Sequence, residues 1–280
     1  MKLAHTVAAG LAALGLAAGS AAAEPLKVAF GAEPYPPFTY KSADGNWTGF
    51  EIELAEAVCA RMEQDCELAP TGWSGIIPAL TSGKVDFILG SMTINEERDE
   101  VIDFTRPYYN TLGAFVAPTG SEIAGREDLD GLILGVQGAT THATFAREAL
   151  RDTVSDIKIY DKQEQVNRDL LAGRLDVMLA DEIAMSEFVE RDEADGVEIK
   201  YITPQHPAYG DGIGVGVREE DDALEESLNA ALTAVIEDGT CAEIAGTWAA
   251  SEYLLDPHSA IGVAAARAAR RDPAVPMVTL

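Results

Sequence analysis

Short apolar runs of strand length alternate with segments of helical period along this chain, and the alternation runs through twice. Leu26-Lys27-Val28-Ala29-Phe30 is a buried-strand run that stops at Gly31. From Phe50 the apolar positions Phe50, Leu54, Ala57, Val58 and Met62 return with the period of an amphipathic helix over 50–63. Residues 85–89 read as the next strand, 95–101 as a short helix and 113–117 as another strand. A second series follows, with strands at 132–136, 156–160 and 177–180 and helices at 141–151, 162–172 and 182–190. Such alternation predicts α/β lobes, each a mainly parallel sheet flanked by helices, and two series predict two lobes. A further strand at 213–217 and a long helix at 221–237 come after the loop between Pro204 and Pro207.

Ahead of the first strand stand one cation, Lys2, an apolar run over 7–18 and Ala21-Ala22-Ala23 before Glu24. This is the pattern of a secretory signal peptide cleaved after Ala23, with an apolar core too short to span a bilayer. Past residue 255 the pattern is lost, and the Arg- and Pro-containing segment 256–280 reads as a mobile extension. A short helix at 260–271 that docks on a partner is the alternative for that segment.

The formal net charge is −27, one unit more negative once Lys2 is removed, and the acids are spread over 96–103, 122–130, 187–198 and 219–226. This describes a solvated surface rather than a site. With no basic patch to neutralise phosphates, nucleic acid is not an expected partner. Of the three cysteines, Cys59 and Cys66 are separated by a stretch that can turn from a helix end into the following strand, so an oxidising compartment would bridge them and leave Cys241 free. His5, His142, His206 and His258 show no ligand spacing to these cysteines, and neither a metal nor a cofactor is expected.

Three segments carry chemistry. Thr93-Ile94-Asn95-Glu96 has capping-box spacing, so Thr93 is expected to open a helix whose first turn attracts anions, with Arg98 close by. A guanidinium there can take a carboxylate bidentately. Spacing alone favours the plainer role, a surface pair with Glu97 or Asp103. Val136-Gln137-Gly138-Ala139-Thr140-Thr141 joins a strand to a helix and presents amides and hydroxyls. Asp181 follows a strand directly and is suited to cap the helix after it.

Gly31-Ala32-Glu33-Pro34-Tyr35-Pro36-Pro37-Phe38, the stretch from Gly90 to Arg98, and Val101-Ile102-Asp103-Phe104-Thr105-Arg106-Pro107-Tyr108-Tyr109 carry a resemblance. Over roughly residues 26 to 255 the chain resembles the amino-acid-binding family of bacterial periplasmic solute receptors that feed ABC importers. The lysine/arginine/ornithine-, histidine- and opine-binding receptors belong to that family. The resemblance implies a two-lobed type II periplasmic binding protein with discontinuous lobes joined by two hinge strands. The lobes would run over 24–112 and 209–255 for the first and 113–208 for the second. It further implies a ligand carboxylate held by Arg98 with Gly90, Ser91, Met92 and Thr93, completed across the cleft by Gln137, Thr140 and Thr141. The ligand ammonium would lie on Asp181, its side chain between Tyr35 and Trp73, and Glu33 would face a cationic end. The implied partners are a free L-amino acid, basic or polar, and the membrane subunits of an importer, met by a periplasmic monomer. Because such scaffolds also host cyclohexadienyl-dehydratase-like enzymes, a periplasmic enzyme using Glu33 or Glu182 as proton donor is the alternative.

Overall fold

The computed structural model describes residues 24–248. The expected signal peptide, residues 249–255 and the extension over 256–280 lie outside the described residues. The chain begins with strand β1 (Leu26–Gly31), a small hairpin of β2 (Tyr40–Lys41) and β3 (Trp47–Thr48), helix α1 (Phe50–Arg61) and β4 (Cys66–Thr71). It continues through α2 (Ile76–Thr81), β5 (Phe87–Ile88), α3 (Glu96–Asp99), β6 (Asp103–Phe104) and β7 (Gly113–Pro118). Next come β8 (Ile133–Gln137), α4 (Thr141–Phe145), β9 (Asp156–Tyr160), α5 (Gln163–Leu171), β10 (Val177–Asp181), α6 (Glu182–Val189) and β11 (Val197–Ile202). Strand β12 (Gly216–Val217) and helices α7 (Asp222–Glu237) and α8 (Thr240–Trp248) close the described chain, and both helices pack on α1.

Two five-stranded sheets result, in the orders β4-β1-β5-β12-β6 and β11-β7-β10-β8-β9. Each is mainly parallel, as expected, with one strand running against the other four: β1 runs parallel to β4 and β5 while β12 is antiparallel to β5 and β6, and β8 runs parallel to β9 and β10 while β7 is antiparallel to β10 and β11. The cause is the route of the chain. It leaves the first sheet at β6 to enter the second at β7, and returns from β11 to β12, and the strand that each passage enters, β7 or β12, is the one that runs against the rest of its sheet. The β1 residues Val28, Ala29 and Phe30 are fully buried, as an inner strand covered on both faces requires.

The two passages run side by side. Ile213 N–H donates to the Tyr109 carbonyl (2.8 Å) and Tyr108 N–H to the Ile213 carbonyl (2.9 Å), while Ile94 N–H donates to Gly212 O (2.8 Å) and Gly214 N–H to Met92 O (3.0 Å). The returning passage therefore lies between the 92–94 segment and the outgoing passage. Gly210, at φ +54°, is required there, because a Cβ would stand 1.8 Å from the Ile94 carbonyl oxygen.

Helix α1 ends at Arg61 and the chain turns through Glu63 into β4, which brings Cys59 and Cys66 together as a disulfide with Cα atoms 6.2 Å apart. Cys241 is free and buried on α8. Among the described residues no helix is long and apolar enough to cross a membrane. Thiol labelling of the purified protein is expected to modify no cysteine when native, one when denatured without reductant and three after reduction. Three labelled thiols without reductant would contradict the pairing.

Candidate functional site

A cavity of about 90 Å³ opens between the lobes, walled by residues from both. Since one water needs about 10–15 Å³ on this measure, the space suits a small solute and not a peptide. Glu33, Tyr35, Trp73, Gly90, Ser91, Thr93 and Arg98 line it from the first lobe, and Gln137, Thr140, Thr141 and Asp181 from the second. Met92 does not line it. The chain turns at Ser91, φ +58°, and the Met92 side chain enters the core, where it is 1 % exposed.

Arg98 is brought to the wall by α3, but the cap differs from the sequence expectation. Asn95 is the N-cap, its Oδ1 accepting the Arg98 N–H at 3.0 Å, while Thr93 is bridged to Ile213 and opens no helix. Asn95 wins because the returning passage already claims the 92–94 backbone, leaving Asn95 as the first residue free to turn. The surface-pair reading of Arg98 fails too, since among the described residues its guanidinium forms no salt bridge. It donates to the Thr93 carbonyl (2.9 Å) and to Ala139 O (3.4 Å) and lies 5.7 Å from the Trp73 ring centre. Burial draws its pKa down to about 10, with Glu97 acting the other way, so it remains a cation at neutral pH.

The opposite wall is built by two strand-to-helix turns. Thr140 caps α4, its hydroxyl accepting Ala143 N–H (3.1 Å) and donating to Gln137 O (2.7 Å). Thr141 thus starts the helix beside the cavity, where first-turn amides lack helical partners. The turn passes through Ala139 at φ +56°, a left-handed conformation that costs a non-glycine residue about 1–2 kcal/mol. The Ala139 carbonyl accepts the Trp73 indole N–H across the cleft at 2.9 Å. Asp181 ends β10 and caps α6, accepting Ala184 N–H at 3.0 Å. It is 7 % exposed and forms no salt bridge among the described residues, and burial pushes its carboxyl up to about 6 against the pull of the Ala184 amide and Thr111 hydroxyl. Tyr35 lies close enough that Asp181 adds to the burial that raises its phenol. Glu33 is not a free carboxylate, since Lys162 Nζ stands 3.4 Å away on the other side of the cleft. Gln137 donates from Nε2 to Asp161 O at 3.3 Å.

Several residues of the site carry no sequence signal. Glu51, on α1, is fully buried behind Ser91 and accepts from the Ser91 hydroxyl (2.7 Å), the Tyr108 hydroxyl (2.8 Å) and the Tyr109 hydroxyl (3.4 Å). When Glu51 is ionised it accepts only, and Ser91 then donates inward and offers lone pairs to the cavity. Burial pushes Glu51 up to about 7. Its place among apolar α1 positions reads as an outward-facing acid. His142 lines the cavity with Nε2 lacking a hydrogen-bond partner among the described residues, and burial lowers it to about 4, so it is neutral. Its position directly after Thr141 was the one available clue. Thr111 and Ile213 enter from the two crossing passages.

With this geometry in hand, the comparisons are consistent in class. Residues 26–251 match the model of bacterial extracellular solute-binding proteins, family 3, and the chain belongs to that family. The lysine/arginine/ornithine-binding periplasmic protein of Escherichia coli (strain K12) is 36% identical over 234 residues, covering 82% of this chain and 90% of the relative. An ancestral arginine-binding protein bound to arginine is similar in structure, with a TM-score of 0.75, 32% identity, and coverage of 81% of this chain and 99% of that one. An ancestral amino acid-binding protein described as a precursor of cyclohexadienyl dehydratase has a TM-score of 0.72 at 29% identity over 80% of this chain and 95% of that one.

The buried Glu51 has a signed consequence for stability. Its folded pKa lies above the ordinary 4.5, so the stability it contributes is complete below that value and is lost as pH rises through about 7. Glu51→Gln removes the ionisation, and the difference in melting temperature between variant and parent is expected to move in the variant's favour between pH 4.5 and pH 8, by an amount worth about 3 kcal/mol at most. Thermal melts across that range read it, and a difference independent of pH would contradict the assignment.

Proposed function

We propose that this chain is a periplasmic receptor that captures one L-amino acid with a basic or polar side chain between its lobes and delivers it to the membrane subunits of an ABC importer. The observation that carries the reading is a buried cation and a buried carboxylate, Arg98 and Asp181, on opposite walls of one small cavity with no ion-pair partners among the described residues. A zwitterionic amino acid supplies both counter-ions at once. In this reading Arg98 holds the α-carboxylate with the Thr93 hydroxyl and the first turn of α4 at Thr141, and Asp181 holds the α-ammonium beside the inward-donating Ser91. Tyr35 and Trp73 flank the side chain.

Closure follows without chemistry. A ligand that touches both lobes binds the closed arrangement better and shifts the open–closed balance by that difference. Export by a signal peptide ending at Ala23, a monomeric state and the lobe boundaries at 112/113 and 208/209 belong to the same proposal. The relatives that bind basic amino acids support it. Catalysis is the weaker reading, because Glu182 does not line the cavity and the Glu33 carboxylate is engaged by Lys162.

Arg98→Ala is expected to weaken amino-acid binding by about 2–5 kcal/mol, because the ligand carboxylate loses a charged partner inside a desolvated cleft. Asp181→Asn is expected to act comparably at the ammonium end. Isothermal titration of folded variants reads both, and affinity within twofold of the parent for either would refute the clamp.

A further inference from the structure

Glu33 leaves the first lobe in the loop after β1, and Lys162 stands in the second as the residue before α5. Their 3.4 Å contact is the one ion pair between the two lobes among the described residues. The Glu33 side chain is 21% exposed and lines the cavity, whereas that of Lys162 is 50% exposed and lies outside the lining, touching Glu33 from the solvent side. Neither side chain forms another ion pair among the described residues.

We propose that Lys162 is a tethered counter-ion for Glu33, engaging the carboxylate that the charged end of a ligand side chain would otherwise have to itself. On this view the pair, rather than Glu33 alone, sets how strongly the cleft prefers a cationic side chain over a neutral one of the same shape. The inference rests on the amino-acid-receptor reading above. A lone carboxylate at the end of the cavity would favour a guanidinium over an uncharged ureido group strongly. With an ammonium already in contact, an incoming cation must displace that ammonium or share the carboxylate with it, and the net gain shrinks. A neutral side chain leaves the pair intact. Specificity is a difference between two affinities, so an internal competitor lowers it without weakening the neutral ligand. Because the pair spans the cleft, it also favours closure, a contribution that a neutral ligand keeps and a displacing cation loses, so it acts on the ratio in the same direction. Its exposure to solvent limits the effect to several-fold.

L-Arginine and L-citrulline are near-isosteric and differ at the side-chain end in charge. Calorimetric dissociation constants for both should be measured with the full-length mature protein, with Lys162→Met, which keeps an apolar stem, with Glu33→Gln, and with the double variant. Lys162→Met is expected to raise the preference for arginine over citrulline about three- to fivefold. Glu33→Gln is expected to lower it below the parent's, and the double variant to match Glu33→Gln within twofold. An unchanged preference in Lys162→Met overturns the proposal. So does an equal rise when Lys162→Met is added to Glu33→Gln, which would make Lys162 a general repulsive charge instead of the counter-ion of Glu33. Failure of the parent to bind any amino acid overturns the receptor reading itself, and this inference falls with it.

Discussion

Arg98 and Asp181 are both kept out of water at the walls of one cavity, and neither has an ion-pair partner among the described residues. Burying a charge unpaired is among the least favourable things a fold can do. The protein softens it locally, with the Thr93 and Ala139 carbonyls around the guanidinium and the Ala184 amide on the carboxylate. These are neutral dipoles and do not cancel the charges. The rest of the site can be read as the apparatus that keeps two such groups facing one another, ready for a solute that carries the complementary pair.

That apparatus is concentrated where the chain passes between the sheets. The returning passage nests between the 92–94 segment and the outgoing passage, and this placement orients Thr93, moves the helix start to Asn95 and aims Arg98 inward. On the far side the strained Ala139 turn serves both lobes at once. It frees the start of α4 for the cavity and turns its carbonyl toward Trp73 and Arg98. In the proposed reading the same few residues bind the solute and join the two lobes, which couples occupancy to shape with no separate device.

Much of this was legible in the chain. The alternating strand and helix periods exposed both lobes, the spacing of Cys59 and Cys66 foretold their bridge, and Asp181 at a strand end announced a cap. Resemblance brought Arg98, Thr141, Tyr35 and Trp73 to one place, where local spacing had favoured a surface role for Arg98. What stayed hidden depends on contacts between segments distant in sequence. The single reversed strand in each sheet, β7 or β12, follows from where the passages enter, and Met92 is lost to the core at the turn through Ser91. Asn95 replaces Thr93 as cap only because the 209–214 passage occupies the 92–94 backbone. Glu51 looks like any helical acid until Ser91, Tyr108 and Tyr109 converge on it, and nothing near Lys162 in sequence points to Glu33.

The central claim is that the cleft recognises the zwitterionic head of an L-amino acid. Thermal unfolding of the mature protein with each of the twenty L-amino acids and ornithine tests it most directly, followed by the D-enantiomer and the decarboxylated amine of whichever ligand stabilises. The account predicts that a basic or polar L-amino acid at a hundred times its dissociation constant adds about 2.7 kcal/mol of stability, while its D-enantiomer and its amine leave the transition unmoved. Stabilisation by the amine equal to that by the amino acid, or by no amino acid at all, would contradict it.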